Sequence, residues 1–273
     1  MSERLRQRFA AGKQEGRPLF IGYLTAGYPA REDTVPALLA MEAGGADVLE
    51  LGVPFSDPMA DGATIQAANQ VALEQGVSLA DCVQYVREAR AAGLQAPVIL
   101  MGYYNPILSY GEARLARDAS VAGIDGFIVV DLPPEEATAF VASCRAHGLS
   151  FVPLVAPTTH DERIALIASV ADSFLYCVSV TGTTGAAKVA LDDLPAFIGR
   201  VRAHCSLPLA VGFGVSTRAH VEAVGKVADA AVVGSAIINA IAAAEPELRA
   251  QRVREFVEDV SGRKRAGGRG PAR

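Results

Sequence analysis

Three carboxylates stand close together in ELGVPFSDPMADG, residues 50–62: Glu50, Asp57 and Asp61. Glu50 sits between Leu49 and Leu51 at the end of an apolar run. A carboxylate in such surroundings is costly to desolvate, so its pKa should rise toward the range useful for proton transfer. The competing reading is a buried carboxylate tied up in a structural ion pair. Asp57 and Asp61 follow in the loop, and either could instead cap a helix beginning near Gly62. Asp131, just ahead of Pro133 and Pro134, ends another apolar run, and its spacing does not decide between structure and catalysis.

A second set of residues suits a phosphate. GFGV (212–215) and GSAI (234–237) each end an apolar run, and GSAI opens a helical pattern. Glycines let an anion approach the backbone, and the N–H groups of a helix start can receive its oxygens. Either motif alone could be a tight turn; together they read as a phosphate grip. The segment VTGTTGAAK (180–188) adds glycines and hydroxyls and reads as a lid.

What is missing narrows the chemistry. The lysines are Lys13, Lys188, Lys226 and Lys264, none at the end of an apolar run, so a Schiff-base enzyme fits poorly. His147, His160, His204 and His220 are unpaired and fall on helices or loops, which argues against a metal site.

The elements that must position these groups follow from periodicity. Apolar, β-branched runs near 19–24, 47–51, 97–102, 126–130, 151–155, 174–179, 208–212 and 230–234 read as eight strands. Unbroken rather than alternating apolarity is the mark of a parallel sheet covered on both faces. Helical spacing fills the intervals, as in Ala137, Phe140, Val141 and Cys144, or Leu194, Phe197, Ile198 and Val201. Gly93, Gly123 and Gly148 mark helix ends. Eight β–α units predict an α/β fold, a (β/α)8 TIM barrel. Longer intervals predict extra helices after strands 2 and 8, and a long loop at 180–192. An N-terminal helix over 2–12, with Leu5 and Phe9 on one side, should plug the far end. Residues 1–262 are expected to form a single barrel domain, and the basic stretch RKRAGGRGPAR (263–273) a disordered tail.

Composition agrees. The chain is 51% hydrophobic with a formal net charge of −5, which disfavours nucleic acid as a partner. Cys82, Cys144, Cys177 and Cys205 are widely spaced, as expected of reduced thiols. The charged start carries no signal-peptide pattern, and the longest uncharged stretch, 230–244, is too short to span a bilayer. A cytoplasmic protein is expected.

ELGVPFSDPMADG, LMGYYNPI (100–107), SVTGTTGA (179–186), GFGV and GSAI, in that order, closely resemble the motifs of the tryptophan synthase alpha family. The resemblance spans roughly residues 5–260, and the 50–62 segment is its most specific part. It implies retro-aldol cleavage of indole-3-glycerol phosphate to indole and glyceraldehyde 3-phosphate, a lyase reaction. It implies Glu50 as the acid–base residue and Asp61 as acceptor of the indole N–H. By the same matching Tyr23, Tyr103, Ile128, Val130 and Tyr176 line the substrate pocket, Thr184 is the lid residue that reaches Asp61, and Gly185, Phe213, Gly214, Gly234 and Ser235 touch phosphate. No cofactor is implied for this chain. The implied partner is a tryptophan synthase beta subunit carrying pyridoxal phosphate, in an alpha2beta2 assembly, meeting loop 53–59 and the surroundings of Asn105 and Pro133. Tyr23, Met59 and Val180 stand where some relatives carry Phe, Leu and Arg. Two other readings stay open: another phosphate-binding barrel enzyme such as a sugar-phosphate isomerase, and a chain that only activates its partner. Glu50, Asp61 and the glycine set weigh against the latter.

Overall fold

The computed structural model describes residues 1–178, 192–212 and 214–263. Among them, the apolar runs form strands β1 (Leu19–Thr25), β2 (Val48–Gly52), β3 (Val98–Gly102), β4 (Gly126–Val129), β5 (Ser150–Phe151), β6 (Leu154–Val155), β7 (Leu175–Val178), β8 (Leu209–Gly212) and β9 (Ala230–Val233). All pairings are parallel, in the order β5-β4-β3-β2-β1-β9-β8-β7-β6.

The expected strand at 151–155 is split in two. Its first half pairs with β4 and its second with β7. Pro153 between them has no N–H to give a ladder. The break still holds both neighbours: the Val152 N–H donates to Phe127 O at 2.9 Å, and Pro153 O accepts from the Tyr176 N–H at 3.1 Å. One segment therefore joins the two ends of the sheet and closes a (β/α)8 barrel of eight positions.

Helices cover the outer face. The interval after β2 holds two of them, Ala63–Glu74 and Leu79–Ala91, and β9 is followed by Ser235–Ala242 and Arg249–Ser261, so both expected insertions are helical. A short helix at Tyr104–Tyr110, after β3, was not expected from the sequence. Pro106 lies in its first turn, where no intrahelical N–H is needed. In helices Thr138–Ala146 and Leu194–Arg202 the residues picked out by spacing are the buried ones. The N-terminal helix Glu3–Gln14 buries Leu5 and Phe9, and the Phe9 ring meets Phe174 at 5.0 Å, closing the barrel floor. The four cysteines are buried free thiols.

The floor carries a device repeated three times. Asp47, Asp125 and Asp229 immediately precede β2, β4 and β9. Each gives its own N–H to the carbonyl of the first or second residue of the neighbouring strand and takes back the N–H of that same residue on its carboxylate. The partners are Phe20, Val98 and Leu209, with carboxylate distances of 2.8, 3.0 and 2.8 Å. Each carboxylate also meets arginine: Asp47 meets Arg8, Arg17 and Arg263, Asp125 meets Arg4 and Arg90, and Asp229 meets Arg202. Of the expected tail, only Arg263 lies within the described residues. It reaches back to Asp47 and donates to Pro18 O at 2.8 Å and Gly45 O at 3.0 Å.

Candidate active site

Glu50 is the middle residue of β2, and its register partners are Tyr23 on β1 and Ile99 on β3. Partner residues in a parallel ladder share a face, so Glu50 and Tyr23 both point into the barrel, while Leu49 and Leu51 point to the helices. The apolar flanks in the sequence are therefore not what encloses the carboxyl; the barrel interior is. Glu50 is 0% exposed, and neither carboxyl oxygen has a hydrogen-bond partner among the described residues. Burial alone pushes its pKa from an ordinary 4.5 up to about 8. Among the described residues the ion-pair alternative does not hold: Glu50 is a buried acid that none of them pairs with.

Asp61 arrives from the loop after β2. The Met59 N–H donates to Asp57 O, and the Asp61 N–H donates to Pro58 O at 3.0 Å, turning the chain back over the barrel mouth. Gln66 Nε2 holds the Asp61 carbonyl at 2.8 Å, and Asn69 Nδ2 donates to its carboxylate at 3.2 Å. Asp61 is 6% exposed. Burial raises its pKa to about 6, against the opposing pull of Asn69 and the Tyr103 hydroxyl. Tyr103 is itself anchored, accepting from the Ala60 N–H at 3.1 Å and stacking on Phe55 with ring centroids 5.0 Å apart.

Asp57 is exposed and bonded to Ser56. It does not cap helix Ala63–Glu74, whose N-cap is Gly62. Asp131 accepts the Tyr104 N–H at 2.7 Å, at the start of the short helix after β3. That contact gives Asp131 a structural duty.

Two tyrosines cross the barrel mouth where glycine leaves room. The Tyr23 hydroxyl bonds Thr25 Oγ1 at 3.2 Å, and a Cβ on Gly52 would stand 2.1 Å from it. A Cβ on Gly212 would stand 2.0 Å from the Tyr176 hydroxyl. Both phenols are raised well above their ordinary range, first by burial and then by the nearby charges of Asp61 and Glu50. Tyr23, Tyr103 and Tyr176 thus share one pocket mouth with the two acids. Ile128 is fully buried beside Met101 in the β3–β4 ladder, and Val130 follows β4, partly buried.

The expected phosphate grip lies next to this cluster. Gly214, after β8, has φ +76°, a left-handed conformation suited to glycine. Gly234 precedes helix Ser235–Ala242, whose first N–H groups have no intrahelical acceptor. The Tyr23 ring packs against Gly234, so the grip and Glu50 share a wall. Thr184, Gly185 and Phe213, with the expected lid at 180–188, lie outside the described residues.

The structure also brings in Thr25 and Asn69, which the sequence did not single out, and makes Gly52 and Gly212, members of the quoted motifs, the residues that leave room for Tyr23 and Tyr176. Among the described residues no group of three or more His, Cys, Asp or Glu could hold a metal ion. None of their helices is long and apolar enough to cross a membrane.

A family model described as tryptophan synthase alpha chain matches residues 9–265. The tryptophan synthase alpha chain of Roseiflexus sp. is 51% identical over 259 residues, covering 95% of this chain and 99% of the relative. A tryptophan synthase of Saccharomyces cerevisiae is also 51% identical over 95% of this chain, which spans only 37% of that longer protein. Among solved structures, a chain of Mycobacterium tuberculosis tryptophan synthase superposes with a TM-score of 0.88 at 35% identity, covering 98% of this chain and 100% of that one. The alpha subunit from Legionella pneumophila gives 0.87 at 38% identity, covering 96% and 98%.

Proposed function

The chain belongs to the tryptophan synthase alpha chain family, and from that premise we propose that Glu50 and Asp61 divide the acid–base work of its reaction. The reaction is cleavage of indole-3-glycerol phosphate to indole and glyceraldehyde 3-phosphate, a carbon–carbon lyase step of tryptophan biosynthesis. Breaking a C–C bond requires an electron sink, and the indole ring becomes one when C3 is protonated. Glu50 delivers that proton, leaving an indolenine cation and a Glu50 carboxylate. The carboxylate then takes the proton from the hydroxyl on the adjacent side-chain carbon. That carbon becomes the aldehyde as the C–C electrons return to the ring, and Glu50 ends protonated as it began. Asp61, ionised, accepts the ring N–H and stabilises the positive charge that develops there.

The observation that carries this reading is Glu50 itself, fully enclosed, unpartnered among the described residues and with a pKa near 8. A protonated Glu50 beside an Asp61 that ionises near 6 gives the two acids opposite protonation states around neutral pH. Tyr23, Tyr103, Ile128, Val130 and Tyr176 wall the indole ring. Gly185, Phe213, Gly214, Gly234 and Ser235 receive the phosphate, and Thr184 meets Asp61 from the lid. The partner is a tryptophan synthase beta subunit in an alpha2beta2 assembly in the cytoplasm; pyridoxal phosphate resides on that subunit, which consumes the indole. The exposed Met59 and the loop 53–59 around it supply the contact face, together with Asn105 and Pro133.

The test is release of indole from indole-3-glycerol phosphate by the purified chain, followed with and without a beta subunit. Slow release alone and faster release with the partner are expected. No indole in either condition would leave an activator of the partner as the better reading.

A further inference from the structure

Asn69 lies on helix Ala63–Glu74, which packs against β1 and against helix Ser235–Ala242. It is 2% exposed, and its Nδ2 donates to Asp61 Oδ2 at 3.2 Å. A carboxylate can only accept, so the NH2 end of the amide must face Asp61. That orientation commits the Oδ1 end to the other side, where it is buried with no partner among the described residues. A polar side chain kept only for packing would have both ends satisfied, or would be replaced by an apolar one. Asn69 instead satisfies Asp61, and no described residue bonds its own acceptor.

We propose that Asn69 is a positioning residue: its amide holds one Asp61 oxygen so that the other faces the ring nitrogen of the substrate. This rests on the role given to Asp61 above. The rest of Asp61 is already fixed, its N–H by Pro58 O and its carbonyl by Gln66. What remains is rotation of the carboxylate, which the Tyr103 hydroxyl also bonds and which Asn69 restrains from the helix side. The amide also favours the charged form that must receive an N–H. The titratable groups facing Asp61 are Tyr23 on β1, Tyr103 after β3 and Tyr176 on β7, all phenols raised above their ordinary range. Glu50 on β2 titrates near 8. A change on the acid limb of activity therefore reports Asp61.

The experiment measures kcat and KM for indole release across pH, in the complex with a beta subunit, for Asn69→Ala, Asn69→Ser and Asn69→Asp, each also in an Asp61→Asn background. Removing a hydrogen bond to a charged group predicts a fall in kcat/KM of about tenfold to a hundredfold for Asn69→Ala. The acid limb should move to higher pH, and furthest for Asn69→Asp, which sets a like charge beside Asp61. Asn69→Ser, which keeps a donor, should recover part of the loss. With Asp61→Asn in place, Asn69→Ala should cost nothing further. An unmoved acid limb, or an equal loss in both backgrounds, would reduce Asn69 to a packing role. Full activity in Asp61→Asn alone would overturn the role of Asp61 and this inference with it. Should Asn69→Ala fail to fold, the isosteric Asn69→Asp carries the same test.

Discussion

Asp47 immediately precedes β2 and Glu50 stands at the middle of that strand, and both are buried, at 2% and 0% exposure. At the floor, Asp47 is met by Arg8, Arg17 and Arg263 and accepts the Phe20 N–H. At the mouth, no described residue bonds Glu50. Burial pushes both acids up, but at Asp47 the guanidiniums and the backbone donor outweigh it and hold the carboxyl below its ordinary range. At Glu50 burial acts unopposed. Burial alone therefore predicts neither state; the partners decide it. The floor invests its carboxylates in joining strands, and the mouth leaves its own unsatisfied where substrate enters, as the division of a barrel into stabilising and active faces requires.

The largest contrast should come from Glu50→Gln. Loss of the proton donor should lower kcat by roughly 10²–10⁴-fold while substrate still binds. The same change should stabilise the fold. The folded pKa of Glu50, about 8, lies above its ordinary 4.5, so the folded state binds more protons between those values. Stability must then fall as pH rises through that window, and the full penalty, on the order of a few kcal/mol, is present above pH 8. Thermal melts at pH 5 and pH 9 should show the variant gaining mainly at the higher pH. Equal melting of variant and parent at pH 9 would mean that Glu50 is better solvated than its enclosure indicates.

Asp47→Ala should do the reverse. Removing one partner of a buried ionic cluster typically costs about 3–5 kcal/mol, because the arginines are left uncompensated. Turnover of the folded fraction should stay at the parent value, since Asp47 lies at the opposite end of the barrel. The pH dependence also inverts. With a folded pKa below 3.8, Asp47 contributes stability that is present above the unfolded pKa and lost as pH falls through the folded one. Denaturant unfolding at pH 7 and pH 3 measures both; a variant as stable as its parent at pH 7 would show that the cluster joins nothing.

How far this contrast was legible in the sequence depends on the range of the interactions behind it. The eight strands could be read because strands buried on both faces are apolar throughout. Glu50 stood out as a charge within such a run, although its enclosure comes from the barrel interior and not from Leu49 and Leu51. Pro153 was visible in the sequence, yet its effect on the fifth barrel position depends on which neighbours each half must reach. The Asp47, Asp125 and Asp229 device was not legible, because each carboxylate takes its backbone N–H from another strand, as Asp47 does from Phe20. Asn69 was hidden for the same reason: an asparagine within a helical stretch carries no mark until the helix is folded beside Asp61.

A smaller effect, about tenfold per pH unit, should appear in the pH profile. If the site works with Asp61 ionised and Glu50 protonated, kcat/KM should rise through about pH 6 and fall through about pH 8. Glu50→Gln should remove the alkaline limb from its residual activity, while Asp47→Ala should leave both limbs in place. A single flat profile between pH 5 and 9 would break the assignment of opposite protonation states.

The smallest effect tests whether the floor is redundant. Arg263→Ala removes one of three arginines around Asp47, and Arg8 and Arg17 remain. Burial lowers the pKa of Arg263, and crowding by Arg17 and Arg8 lowers it further, against the opposing attraction of Asp47. Removing it relieves that repulsion while giving up its bonds to Pro18 O and Gly45 O. The balance should be a loss of only about 1 kcal/mol, well short of the loss from Asp47→Ala, because the carboxylate keeps its bidentate Arg17 partner. Chemical denaturation resolves a difference of that size. A loss as large as that of Asp47→Ala would instead make Arg263 the principal partner, and would tie the stability of the barrel floor to the end of its last helix.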